Sequence, residues 1–239
     1  RDLLAKRTAQ SVEVLNAGVG GYSTEQGLKR LTQKVLPHRP DVVTIYFGWN
    51  DHWITEKVTD AERALEDARR WYWLDYAGWS RVVQVGLYGA HTIHERRVWR
   101  LARQPYVPRV PLDRFRENLQ QIVRNVRTIS AEPILVTAPT DMNRDTPLEE
   151  FDSLKSLAGT DCTSPKELHD AYVEATRQIA RETRARLVDA AAAFEDNPGL
   201  ITRDHIHLTD AGIELVARLL ADEVMAHTSE AMKTDPVAP

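Results

Sequence analysis

Apolar Leu3 and Leu4 stand among basic residues at the start of the chain, a pattern that reads as the end of a helix already under way. Val12-Glu13-Val14-Leu15 follows as a short predicted strand, and Asn16-Ala17-Gly18-Val19-Gly20-Gly21-Tyr22 as a glycine-rich turn at its carboxyl end. Ser23 and Gln26 are spaced as a capping box, after which Leu28, Leu31 and Val35 recur at helical spacing until Pro37. Asp41 to Phe47 is an almost unbroken β-branched and aromatic run, which predicts a strand buried on both faces. It ends at Gly48-Trp49-Asn50-Asp51.

From His52 to about Pro111 the periodicity loosens, and all six tryptophans fall at or within this stretch (Trp49, Trp53, Trp71, Trp73, Trp79, Trp99). It reads as a mostly helical insertion whose aromatics form a satellite core or, in a second reading, a wall over a crevice. Regular patterning returns with Asp113 as a predicted cap and Phe115, Leu119, Ile122, Val126 and Ile129 as one helical face. Pro133 to Ala138 is the next strand, followed by a polar loop to Thr163. Ser164-Pro165-Lys166-Glu167 is a strong helix start, with Leu168, Tyr172, Ala175 and Ile179 as its buried stripe. Arg186 to Asp189 is a last short strand, and Thr209 opens a closing helix through Val216, Leu220 and Val224. Polar composition predicts a disordered tail over 228–239, which leaves residues 1–227 as one domain; no internal repeat is present.

Strands alternating with helices at this spacing predict an α/β fold: a mainly parallel sheet with helices on both faces, its ligand crevice at the carboxyl ends of the strands. The turns at Gly18–Gly21, Gly48–Asp51 and Asp204–His207 all fall at that end.

Composition narrows the picture only a little. With 239 residues, 42% hydrophobic and 28% charged, the chain has the make-up of an ordinary globular protein. A net charge of -4 gives no general attraction to nucleic acid or anionic lipid. Arg96, Arg97, Arg100, Arg103 and Arg109 therefore read as a solvated face rather than a polyanion site. Cys162 is alone, so no internal disulfide forms, and no apolar run approaches the roughly 20 residues that span a bilayer. The chain starts at Arg1 without an initiator methionine, so its first residues say nothing about targeting.

Candidate chemistry centres on Asp204-His205-Ile206-His207-Leu208-Thr209, followed by Gly212. A carboxylate three residues before an imidazole, just ahead of a helix, can hold one ring nitrogen and leave the other for proton transfer, the alternative being a helix cap and a polar surface residue. The Gly20-Gly21 turn brings a backbone N–H close to a ligand without a side chain, and the Asn50 amide can donate to the same developing oxyanion. Asp51 reads as a residue that ties down its loop. Gly18-Val19-Gly20-Gly21 lacks the spacing of a dinucleotide fingerprint. Asp204, His205 and His207 form a possible metal-ligand set, although the neighbouring Asn and Gly are poor partners for one.

Asn16-x-Gly18-x-x-Gly21, Gly48-x-Asn50-Asp51 and Asp204-x-x-His207-Leu208-Thr209, in that order and over nearly the whole chain, resemble the blocks of the SGNH or GDSL family of serine esterases and acyl hydrolases. The resemblance implies a flavodoxin-like three-layer α/β/α sandwich and cofactor-free hydrolysis of a small-molecule, carbohydrate or lipid ester. It implies that the Gly21 N–H and the Asn50 side chain are oxyanion donors, that His207 is general base then general acid, and that Asp204 orients His207. Acyl transfer to a sugar hydroxyl is the alternative outcome of the same machinery.

One block of that pattern is absent. The family's nucleophile is the serine of Gly-Asp-Ser after the first strand, and none of the 20 residues before Gly21 forms that motif. Ser11 opens a strand, Ser23 caps a helix and Ser80 lies in the Trp-rich insertion. The expectation is an N-terminally truncated hydrolase, inactive on its own, whose sheet lacks the strand between Val12–Leu15 and Asp41–Phe47. Either a gap at that place or a direct pairing of the two strands would follow. A non-catalytic relative that kept the crevice for binding is the competing reading.

Overall fold

Three strands, β1 (Val42–Tyr46), β4 (Glu132–Val136) and β5 (Arg186–Val188), run parallel in the order β1-β4-β5. Val42 stands opposite Glu132, Tyr46 opposite Val136, and Val136 opposite Val188, so all three strands end at one level. The computed structural model describes residues 1–8, 11–55, 59–65, 89, 107–143, 145–147, 157, 160–195 and 197–234.

Side-chain alternation decides which layer each strand residue joins. Ile45 and Leu135 point into a core with Phe115, Leu119, Ile122 and Val126 of α4 (Leu112–Arg127) and with Leu168, Tyr172, Ala175 and Ile179 of α5 (Pro165–Thr183). Ile134, Val136 and Val188 point the other way, against Val216, Leu220 and Val224 of α7 (Asp210–Thr234). Helices thus cover both faces, as the sequence predicts. Each fully buried Val, Leu, Ile or Phe among them contributes about 1.5–3 kcal/mol relative to exposure, and Val216, Leu220 and Val224, only partly buried, contribute less.

Helix starts follow their local chemistry. Ser23 N–H donates to Gln26 Oε1 at 3.1 Å ahead of α2 (Thr24–Arg30), which runs on as a π turn (Leu31–Val35) and a 3-10 turn (Leu36–His38). Ser164 Oγ accepts from Glu167 N at 3.2 Å, with Pro165 at the first position of α5. Asp189 caps α6 (Ala190–Phe194), a short helix the sequence reading passes over. The predicted cap at Asp113 is displaced: Pro111 precedes α4, and Asp113 lies in its first turn, where a carboxylate still meets the positive end of the helix. Helix α7 continues to Thr234, past the Thr228 boundary of the expected tail. Glu230 pairs with Arg186 at the start of β5, which links this end of the helix to the sheet. Arg7, just beyond α1 (Asp2–Ala5), pairs with Asp222 of α7.

The predicted strand at Val12–Leu15 is not present: residues 11–18 carry no strand assignment, and Val14 and Leu15 are 53% and 58% exposed. Among the described residues, no strand pairs with β1 on the side away from β4. Nor is β1 buried on both faces; only Ile45 is buried, and Tyr46 is exposed. Without a neighbour to bond and cover them, the apolar residues of 12–15 have no ladder to join. Among the described residues β1 is therefore an edge of the sheet, and neither a gap between two strands nor the direct pairing of 12–15 with β1 is formed.

Strands β2 (Ile54–Thr55) and β3 (Val107–Pro108) pair antiparallel and close the base of the Trp-rich stretch, with residues 60–65 helical. The rest of the predicted insertion lies outside the described residues. No helix among the described residues is long and apolar enough to cross a membrane.

Candidate active site

The glycine turn ahead of α2 carries Gly21 at φ +80°, a left-handed conformation that favours glycine. Its carbonyl accepts from Arg109 Nη1 at 2.9 Å, and the same guanidinium reaches Gln26 Oε1 at 3.0 Å and Asp60 Oδ2 at 2.8 Å. Asp60 also accepts from the Ser23 hydroxyl at 2.6 Å. Arg109 thus belongs to a largely buried pair that pins the glycine turn to both ends of the Trp-rich stretch, not to the solvated face its neighbours suggest. Ser23, fully buried and bound to a carboxylate, has a structural role.

Gly48 sits at φ +133°, where a side chain would strain the backbone, and starts the single-turn helix α3 (Trp49–His52). Asp51 in this turn is fully buried and accepts from Thr24 N at 2.7 Å, Thr24 Oγ1 at 2.5 Å and Gly48 N at 3.2 Å. Burial pushes its carboxyl up to about 7, against the opposing pull of those bonds and of Arg109. As the sequence suggests, Asp51 is a tie: it locks the start of α2 to the turn that carries the partly buried Asn50. Behind them, His52 Nε2 meets His169 Nδ1 at 3.0 Å, and His169 Nε2 meets Ala138 O at 2.9 Å. The Trp49 ring stacks on His169 with centroids 4.2 Å apart, and its Nε1 donates to Pro139 O at 3.3 Å. Burial holds both imidazoles below their ordinary range, His169 at about 4.

Residues 199–209 form a closed turn ahead of α7. Ile201 and Leu208 bridge antiparallel, Thr202 N donates to His207 O at 2.7 Å and Thr209 N to Leu200 O at 2.9 Å. Within it, Asp204 Oδ2 lies 2.6 Å from His207 Nδ1, while Asp204 Oδ1 accepts from Thr202 Oγ1 at 2.6 Å, His207 N at 2.9 Å and Ile206 N at 3.0 Å. Burial alone would raise this carboxyl; the four hydrogen bonds outweigh it and hold Asp204 well below the usual carboxylate range. An ionised Asp204 takes the Nδ1–H of His207, which leaves Nε2 as the basic nitrogen. The pair is open to solvent, with side chains 48% and 76% exposed.

A second histidine–carboxylate pair lies beside the first. His205, at φ +64°, places Nδ1 2.7 Å from Asp141 Oδ1, and Thr140 Oγ1 donates to His205 O at 3.0 Å. The two imidazoles of His205-Ile206-His207 are thus bound by different carboxylates and do not share one.

The structure brings Asp204 and His207 into direct contact. Gly21 and Asn50 are joined through the Thr24–Asp51 bonds, and the turns of Asn50 and His207 through the loop Pro139–Thr140–Asp141. Among the described residues, no serine hydroxyl bonds His207. Sequence reading passes over Asp141, Thr140, Asp60 and the His52–His169 pair. Their partners are 64, 65, 37, 49 and 117 residues away, and only the fold brings them together.

The description of the GDSL-like Lipase/Acylhydrolase family matches residues 1–215. The chain is 23% identical over 226 residues to the uncharacterized lipoprotein YqeF of Bacillus subtilis, covering 89% of this chain and 73% of that protein. Among solved structures it is similar to a lipase/acylhydrolase from Enterococcus faecalis, with a TM-score of 0.58, 22% identity, and coverage of 95% of this chain and 84% of that one. It is also similar to Axe2, an acetylxylan esterase from Geobacillus stearothermophilus, with a TM-score of 0.53, 21% identity, and coverage of 88% and 71%. At these identities the structural likeness shows a shared fold, that of the SGNH hydrolases.

Proposed function

The chain belongs to the GDSL-like lipase/acylhydrolase family, a family of ester hydrolases, and on that premise we propose that it acts by a Ser-His-Asp mechanism with the serine supplied by residues upstream of Arg1. The observation that carries this reading is the Asp204–His207 pair, 2.6 Å apart, with Asp204 held as the anion.

In the reaction, the serine Oγ attacks the acyl carbon and its proton passes to His207 Nε2. Asp204 steadies the imidazolium through Nδ1–H. The carbonyl oxygen becomes an oxyanion that accepts from Gly21 N–H and the Asn50 amide. Collapse expels the alcohol oxygen, which takes the proton from Nε2; water then repeats the sequence on the acyl-enzyme. The open side of β1 supports the upstream serine. A parallel strand laid there would pair with β1 and would end at the carboxyl end of the sheet, the end that carries the turns of Asn50 and His207. Acetylated carbohydrate is the substrate class proposed, on the likeness to an acetylxylan esterase.

The test extends the coding sequence upstream and assays acetylated xylo-oligosaccharides and a simple aryl acetate. The extended protein is expected to turn over, to lose roughly 10³-fold or more in kcat with His207→Ala, and to lose activity with the upstream Ser→Ala. The present 239 residues alone are expected to show negligible turnover. Turnover by those residues that survives His207→Ala would overturn the mechanism, and appearance of acylated sugar in place of free acetate would assign acyl transfer instead.

A further inference from the structure

Residue 205 adopts φ +64°, a left-handed conformation that only a few per cent of residues other than glycine take, and that His tolerates better than most but less well than glycine. Glycine would remove that strain, yet the chain carries an imidazole there. The imidazole reaches Asp141 Oδ1 at 2.7 Å, and the residue before it, Thr140, donates to the His205 carbonyl at 3.0 Å. One loop therefore grips both the side chain and the backbone of a strained residue. Strain persists only where the surroundings over-determine it, and this double grip is what does so here.

Residue 205 also stands between the two members of the Asp204–His207 pair. Asp204 accepts from the N–H groups of Ile206 and His207, so the conformation of residue 205 decides whether those groups face the carboxylate. The pair itself is too exposed for packing to hold it. The same loop accepts from Trp49 Nε1 at Pro139 O, which ties it to the turn of Asn50.

Resting on the reading of His207 as the base, we propose that His205 and Asp141 are positioning residues: a clamp between the loop after β4 and the turn of residues 201–208 that holds His207 in its Nδ1–H tautomer toward Asp204 and in register with Asn50. Neither residue touches substrate in this proposal; both act through His207.

Long-range ¹H–¹⁵N correlation spectra of the ¹⁵N-histidine-labelled chain, recorded at about pH 8.5 where an ordinary imidazole is neutral, test it without any need for turnover. In the native chain His207 is expected as the Nδ1–H tautomer. In His205→Gly, which relieves the strain while removing the clamp, and in Asp141→Asn, which keeps the shape while removing the charge, His207 is expected to shift toward the Nε2–H tautomer. Amide exchange at Ile206 and His207 is expected to rise at least about tenfold. A native-like His207 spectrum and unchanged exchange in both variants would overturn the clamp and leave the catalytic reading standing. An Nε2–H tautomer in the native chain would overturn both, because Asp204 would then not be orienting the base.

Discussion

Thr24 and Asp51 are joined twice, by the Thr24 backbone N–H at 2.7 Å and by its hydroxyl at 2.5 Å, and these bonds make the glycine turn and the asparagine turn one mechanical unit. Asn118 adds a bond to the Thr24 hydroxyl at 3.1 Å from α4, so the unit is anchored to the core.

Asp51→Ala leaves three buried donors unsatisfied and is expected to destabilise the protein by about 3 kcal/mol. Asp51→Asn keeps one acceptor oxygen and is expected to be milder, about 1 kcal/mol. Denaturant midpoints at constant m-value check the order of the two.

His169 sets a pH dependence with a definite sign. Its folded value is about 4 against an ordinary 6.5, so between those limits the unfolded chain binds more protons. Its contribution to stability is complete above about pH 6.5 and is lost as pH falls toward 4. The loss for this one group is roughly 3 kcal/mol. Asp51, raised to about 7, works in the opposite sense and favours folding on the acid side, so the comparison must be between proteins. The difference in stability between the native chain and His169→Gln is expected to shrink from pH 7 to pH 4. A difference that does not change with pH would refute the assignment.

Arg109 and Asp60 should fail together. Removing either leaves the other charged and largely buried, a loss of about 3 kcal/mol in such pairs. Arg109→Lys is expected to recover little, because one ammonium cannot span Gly21 O, Gln26 and Asp60 as the guanidinium fork does. Thermal melts of Arg109→Ala, Arg109→Lys and Asp60→Asn make the comparison.

Gly212 and Gly20 separate two uses of glycine. A Cβ on Gly212 would lie 2.2 Å from Leu200 O, a backbone atom of the turn that carries His207, whereas one on Gly20 would meet nothing within 4 Å. Gly212→Ala is therefore expected to lower stability by about 1–3 kcal/mol. It is also expected to perturb the Asp204 and His207 amide resonances. Gly20→Ala should stay within about 0.5 kcal/mol of the native chain.

Much of this was legible in the sequence because its signals are local. Ser164 through Glu167 starts α5 through contacts among residues a few positions apart, and Asp204 meets His207 within one turn. Phe115, Leu119, Ile122 and Val126 mark the buried face of α4 because burial and helical period coincide. Val12–Leu15 misleads for the opposite reason: its composition is right for a strand, but pairing needs a neighbour, and no residue of the segment encodes one. Arg109 looks like one basic residue among five, and its carboxylate partner is known only once β2 meets β3. Asp141 follows a strand with no motif of its own, and its meaning comes from the imidazole of His205, 64 residues away.

The loop after β4 leaves the central strand of the sheet and holds the turn of Asn50 on one side and that of His207 on the other. The machinery is accordingly not modular. Residues 199–209 grafted onto a related scaffold would bring Asp204 and His207 as a self-contained cassette, but without their address relative to Asn50, which is written in Pro139, Thr140 and Asp141. Transplantation, like natural divergence, would have to exchange the two loops as a pair.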